Sequence, residues 1–161
     1  MSNTKKIMSY TSEYEVQLNE YFSEFENEGK SYQSLSMREG YGKEQLGNVQ
    51  DATFIYVEEE SKRVIGLINI RYGLNAYLFE EGGHVGYSVR PSEQGKGYGK
   101  ELLEYAKALC AFIGLEKILV ICEKDNIASA KIIVSCGGEI EDEVKSKENG
   151  KILQRYWIDV Q

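Results

Sequence analysis

The spacing of apolar and polar residues divides the chain into helical and extended stretches. Tyr14, Leu18, Tyr21, Phe22 and Phe25 recur at helical spacing and predict a helix from Ser12 to Glu28. Ser12 followed by Glu15 reads as a capping box, and Gly29 stands where a C-terminal cap belongs. Lys30 to Asp51 is polar and glycine-spotted, and predicts only a short helix and loops. From Ala52 the period changes. Thr53–Val57 and Val64–Tyr72 are β-branched and aromatic runs on either side of a charged turn, which predicts an antiparallel hairpin. His84–Val89 is a third strand, stopped at Arg90-Pro91 because proline has no N–H to donate. A helix follows, with Leu102, Leu103, Ala106, Leu109, Cys110 and Ile113 as its apolar stripe and Gly114 closing it. Lys117–Cys122 is almost wholly apolar, as suits a strand buried on both faces. Asp125-Asn126 opens another helix that runs to Ser135 and breaks at Gly137-Gly138. Two last strands, 139–145 and 152–160, meet at a turn containing Asn149-Gly150. The order predicts one mixed α/β domain over residues 1–161, with no repeat and no linker.

Composition narrows the partners. The charge sum, 19 − 26 = −7, is a poor match for a phosphate backbone, so no nucleic acid is expected. It suits a cationic substrate such as an amine better. No apolar run is long enough to cross a membrane, and the first residues lead into no secretory signal. Cys110, Cys122 and Cys136 lack CxxC spacing and read as reduced thiols, which points to the cytoplasm. With His84 as the one histidine they do not make a zinc site, and no metal is expected.

One segment announces chemistry. Gln94-Gly95-Lys96-Gly97-Tyr98-Gly99-Lys100 lies between a strand and the start of a helix. Glycines let backbone approach a ligand closely, and the first turn of a helix offers unpaired N–H groups and partial positive charge. Together they predict an anion site suited to a phosphate or pyrophosphate. A dinucleotide fingerprint fails at Lys100, and a P-loop fails at Glu101. Q/R-x-x-G-x-G/A is filled by Gln94, Gly97 and Gly99. With Val85–Pro91 before this loop and Asn126-Ile127-Ala128-Ser129-Ala130 to Gly137 after it, the sequence resembles the GNAT superfamily of acyl-CoA-dependent N-acetyltransferases from Thr53 to Ile158.

The resemblance implies a mixed, twisted central sheet flanked by helices, with splayed fourth and fifth strands. Acetyl-CoA would lie in the gap. Its pantetheine arm would pair with the backbone of Ser88, Val89 and Arg90, and its pyrophosphate with N–H groups from Gln94 through Gly95, Lys96, Gly97, Tyr98 and Gly99 to Lys100. Asn126 would reach it from the far side, and the Val89 N–H would serve the developing oxyanion. The acceptor would be a small-molecule amine or a peptide amine, and a homodimer is compatible with the resemblance. The tyrosine that many family members use as general acid falls at Ile133 here, so that acid is missing and Ile133→Tyr should be tolerated. Tyr87 and Tyr98 do not match the position. His84 occupies the place of the family's basic residue and is either the base or a strand residue of no chemical role. Glu80 and Glu81 are the other candidates. Cys122 either touches the thioester or is a small buried hydrophobe, Cys110 belongs to the core, and Gln154–Trp157 either lines the acceptor pocket or packs. The rival to an enzyme is a non-catalytic acyl-CoA-binding or sensor module.

Overall fold

The computed structural model describes residues 4–29 and 43–161. In chain order the elements are β1 (Lys5–Ser9), α1 (Glu15–Asn27), α2 (Lys43–Leu46), β2 (Asp51–Glu58), β3 (Val64–Arg71), β4 (Val85–Val89), α3 (Tyr98–Phe112), β5 (Lys117–Glu123), α4 (Ile127–Ser135), β6 (Glu139–Lys145) and β7 (Ile152–Asp159). The polar stretch after Lys30 falls outside the described residues up to position 42. Its described end carries α2, the short helix expected there.

The strands form one seven-stranded sheet in the order β1-β2-β3-β4-β5-β7-β6. Every neighbouring pair is antiparallel except β4 with β5, which run parallel. β1 was not predicted. Its sequence, Lys-Lys-Ile-Met-Ser, has little strand character, and it is extended because it covers the edge of β2 from Lys5↔Glu58 to Ser9↔Phe54.

Each face of the sheet buries its own apolar cluster. On one side Leu18, Tyr21, Phe22 and Phe25 of α1 pack on Ile55, Val57, Val64 and Leu67. On the other, Leu102, Leu103, Ala106 and Cys110 of α3 and Ile133 of α4 pack on Ile68, Ile70, Ile118 and Val120. Burying a Leu- or Ile-sized side chain contributes about 1.5–3 kcal/mol, so the predicted stripes hold the layers together. The capping box at Ser12 does not form. Ser12–Tyr14 is a 3₁₀ turn, and α1 begins at Glu15 without a side-chain cap. α3 ends as predicted, with Gly114 at φ +96° and the Leu115 N–H donating to the Cys110 carbonyl at 3.0 Å.

The feature that positions a site is the parting of β4 from β5. They share a single registered pair, Val85↔Val120, and then diverge. The expected splay of the fourth and fifth strands is therefore present. Its apex is pinned by His84, whose N–H donates to the Leu119 carbonyl at 2.7 Å while its Nδ1 accepts from the Leu119 N–H at 2.8 Å.

Candidate active site

Beyond the apex the gap opens into a cleft of about 460 Å³. One wall is β4 (Tyr87, Ser88, Val89), a second is the loop and first turn of α3 from Glu93 to Lys100, and a third is Asn126, Ala128, Ser129 and Ile132. Phe25 of α1 reaches it from the opposite side of the sheet.

Alternation along β4 decides which backbone groups face the gap. The Arg90 N–H donates to the Ile65 carbonyl of β3 at 2.7 Å. The Ser88 carbonyl lies 3.2 Å from where a Cβ on Gly66 would stand, so it too faces β3. Val89 faces the other way, and its carbonyl accepts from Gln94 Nε2 at 3.0 Å. Successive residues of a strand point their backbone groups to opposite edges, so Tyr87 presents its N–H and carbonyl to the gap with Val89. Of the three backbones expected to pair with a ligand, that of Val89 faces the gap. Those of Ser88 and Arg90 are turned to β3, and the backbone of Tyr87 faces the gap beside that of Val89.

The side chains sort by face in the same way. Tyr87 and Val89 lie towards α3, at 3.6 and 3.7 Å from where a Cβ on Gly99 would stand. Ser88 lies towards α1, its hydroxyl 2.7 Å from that of the fully buried Tyr21. Arg90 also turns to α1. Its Nε meets Glu24 Oε2 at 2.5 Å, and Glu24 Oε1 accepts the Ser92 N–H at 2.6 Å. Burial works against the Glu24 charge, but the hydrogen bonds from Ser92 and Arg90 outweigh it and hold the carboxyl below its usual range. Arg90 thus ties α1 to the turn before the glycine loop, and does not line the cleft.

The loop has the form an anion needs. Gly95 and Gly97 have φ of +79° and +89°, and a Cβ on either would project into open space. Gly97 caps α3, and the first intrahelical bond runs from the Glu101 N–H to the Gly97 carbonyl. The N–H groups of Tyr98, Gly99 and Lys100 consequently have no partner inside the helix. The Lys96 ammonium is paired with Glu93 at 2.8 Å. Asn126 lines the cleft, but its Oδ1 is committed to the Ser129 N–H at 3.1 Å as the N-cap of α4.

His84 does not fill the role of base. It is 5% exposed, its Nδ1 lone pair is occupied by the Leu119 N–H, and Trp157 stands edge-on to its ring. Burial, helped by the positive charge of Arg71, pulls its pKa down to about 4, so it is neutral with its proton on Nε2. It also stands five residues, about 17 Å of strand, from Val89. Glu80 and Glu81 are engaged elsewhere. Glu80 pairs with Lys147 at 3.2 Å, and Glu81 accepts from the Ser146 hydroxyl of the β6–β7 turn. Among the described residues, the carboxylate lining the cleft is Glu93, held ionised by Lys96 and Arg63.

Ile133, where an acid was sought, is fully buried in the core under α4. Tyr87 is the tyrosine whose hydroxyl reaches across the cleft, 3.0 Å from Ser129 Oγ. Cys122 is 1% exposed and its thiol is pushed by burial up to about 11, a small core residue rather than a nucleophile. Cys110 and Cys136 are buried free thiols as well. Arg155 is buried, forked onto Asp142 at 2.9 Å and donating to the Phe79 carbonyl, while Tyr156 lies in the core cluster beneath α3 and α4. Among the described residues no cluster of three or more His, Cys, Asp or Glu side chains could hold a metal ion, and no helix is long and apolar enough to cross a membrane.

The model of the acetyltransferase (GNAT) family matches residues 14–137. Solved structures share the fold at low identity. The ribosomal-protein-S5-alanine acetyltransferase of Vibrio fischeri superposes with a TM-score of 0.74 at 19% identity, over 100% of this chain and 95% of its own. The spermidine/spermine N-acetyltransferase SpeG of Vibrio cholerae gives 0.65 at 19%, over 97% and 92%. The yncA protein of Salmonella typhimurium, solved with its cofactor acetyl-CoA, gives 0.66 at 16%, over 99% and 95%. A comparison with curated proteins finds no match.

Proposed function

The chain belongs to the acetyltransferase (GNAT) family, and from that premise we propose that it moves an acetyl group from acetyl-CoA directly to a primary amine. The observation that carries this reading is the cleft between β4 and β5, which has an anion cradle at one end and is lined from both faces of the sheet. The cradle fits a pyrophosphate: two glycines with positive φ leave open space where side chains would stand, at the N-terminus of a fifteen-residue helix. The N–H groups from Gly95 to Lys100 would hold it. The gap-facing backbone of Tyr87 and Val89 would pair with the amide groups of pantetheine as an added strand does. The same Val89 N–H is the donor we assign to the carbonyl oxygen of the thioester.

Acetyl-CoA supplies an acetyl group activated as a thioester. The amine would reach it from the α1 face, past Phe25 and Ser88, while the donor occupies the α3 face. With Cys122 buried and protonated, transfer needs no acyl-enzyme. With His84 neutral and engaged, and Glu80 and Glu81 tied to other partners, we assign deprotonation of the amine to water. Acceptors of two kinds are worth testing, because the structural relatives named above are a ribosomal-protein-S5-alanine acetyltransferase and a spermidine/spermine N-acetyltransferase. We read residues 1–161 as one acetyltransferase domain working in the cytoplasm, a placement supported by its three free thiols. A homodimer is part of the reading, supported by exposed Ile127 and Val134 on α4, and sedimentation will decide it.

The test is release of free coenzyme A from acetyl-CoA with spermidine, spermine and peptides beginning in alanine or serine. Amine-dependent release is expected. The rival reading, a non-catalytic acyl-CoA-binding module, draws on the burial of Ile133 and His84. It predicts binding of acetyl-CoA with no release above buffer for any amine.

A further inference from the structure

A thiolate leaving into the cleft is stabilised by a hydrogen-bond donor at the sulfur. The cleft has two ends. With the pyrophosphate on the glycine loop after Val89, as proposed above, the thioester lies on the apex side of that loop, beside Val89 and Tyr87 and short of the point where β4 and β5 meet at Val85 and Val120. Two residues beyond each apex residue stand Tyr87 and Cys122, and Ser129 of α4 lies between them. Other hydroxyls near the cleft are placed elsewhere. Ser88 bonds Tyr21 on the α1 face, and Tyr98 starts α3 at the loop end, stacked near Tyr56.

We propose that the Tyr87 hydroxyl is the catalytic donor to the departing sulfur, brought in from strand β4 and oriented by Ser129. The inference rests on the acetyl-transfer reading above. The Ser129 hydroxyl has one hydrogen and also stands against the Cys122 thiol. Donated to that sulfur, it leaves Ser129 Oγ as acceptor for the Tyr87 O–H at 3.0 Å. When a thioester sulfur lies in the cleft, the Tyr87 hydrogen turns to it. In the step itself the amine lone pair forms the C–N bond, and the C–S bond breaks with its electron pair going to sulfur. The extra proton on nitrogen passes to water, and sulfur leaves as a thiolate held by the Tyr87 O–H. Burial keeps the Tyr87 phenol up at about 12, so it carries its hydrogen throughout the neutral range. A thiol near 8.5 is the stronger acid, so Tyr87 lends a hydrogen bond without surrendering its proton.

The experiment compares wild type with Tyr87→Phe, which keeps the ring against α3 and removes the hydroxyl. Two readouts are taken. The first is the pKa of enzyme-bound coenzyme A, followed by the ultraviolet absorbance of its thiolate. A hydrogen bond to the charged sulfur should place this pKa about 1–2 units lower in wild type than in the variant. The second is amine-dependent turnover, expected to fall about 10–100-fold with acetyl-CoA affinity unchanged. Equal thiol pKa values and equal turnover overturn the role of Tyr87 and leave the acetyltransferase reading standing. Binding and the pKa difference without turnover by wild type sink the acetyltransferase reading and keep the Tyr87–sulfur contact. Failure of wild type to bind coenzyme A overturns both. Should Tyr87→Phe not fold, wild type alone is decisive: a bound thiol pKa at or above that of free coenzyme A refutes the contact.

Discussion

Replacing His84 by asparagine should reverse the order of stability between the two proteins as pH falls from 7 to 4. Asparagine puts an oxygen near the place of Nδ1, so the Leu119 N–H keeps an acceptor, but nothing there titrates. At pH 7 the variant loses the ring packed near Trp157 and should be less stable than wild type by about 1–2 kcal/mol. In wild type the imidazole has its ordinary pKa of 6.5 when unfolded and about 4 when folded, because burial and Arg71 disfavour its charge. The unfolded chain therefore takes up a proton first. The stability contributed by neutral His84 is full above pH 6.5 and is lost as pH falls towards 4. The gap between the two values, at 1.36 kcal/mol per pH unit, corresponds to about 3 kcal/mol lost by pH 4. Protonation also turns Nδ1 into a donor facing the Leu119 N–H, so the apex between β4 and β5 loses a bond. Carboxylates titrate in both proteins alike, and their effect cancels in the difference. Urea unfolding at pH 7, 5.5 and 4 supplies the measurement. Wild type should start ahead by 1–2 kcal/mol and finish behind by a similar amount, on the order of the linkage just given. A difference that stays constant over this range would refute the account of His84 as a buried, neutral pin.

Other expectations are more direct. Gly97→Glu should abolish acetyl-CoA binding in calorimetry, because its side chain enters the open cradle with the charge of the phosphates, and the positive φ adds about 1 kcal/mol of strain. Ile133→Tyr, which the sequence reading would tolerate, should lower unfolding stability by about 1–3 kcal/mol, since the position is fully buried in the core. Arg90→Ala should destabilise by about 3 kcal/mol in the same assay, because it strands the Glu24 carboxylate between α1 and the turn before the loop. With water as the base, turnover should climb with pH along the acceptor amine's own titration and show no inflection near 6.5. The pH–rate profile of His84→Asn should therefore overlay that of wild type.

The parts of the site legible in the sequence were local. Three glycines around the start of a helix predict an anion cradle from seven consecutive residues, and two of them, Gly95 and Gly97, have positive φ and border open space there. The splay followed from the same motif through the family resemblance. What escaped depended on contacts distant along the chain. His84 looks like a titratable histidine at a strand end, and its burial is supplied by Leu119 and Trp157, which are 35 and 73 residues later by number. Tyr87 looks like one aromatic in a strand, and its place in the cleft depends on Ser129, which lies on α4. The backbone pairing of Ser88 and Arg90 was misread because strand parity is set by β3, and a shift of one residue exchanges the two edges. β1 has almost no signal of its own because the edge it covers creates it.

The two faces of the cleft belong to different layers of the molecule. On the proposed reading, the donor would meet β4, the glycine loop and α3, whose packing belongs to the larger of the two clusters described. On the proposed route, an incoming amine would meet Phe25 of α1, which belongs to the smaller cluster. On that reading, substitution at Phe25 would change which amine is accepted, whereas substitution at Tyr21 or Glu24, which bond Ser88 and Arg90, would also reach the coenzyme A side. Such an arrangement would let a lineage diversify its substrates through the α1 positions that do not touch β4 while inheriting its chemistry through those that do.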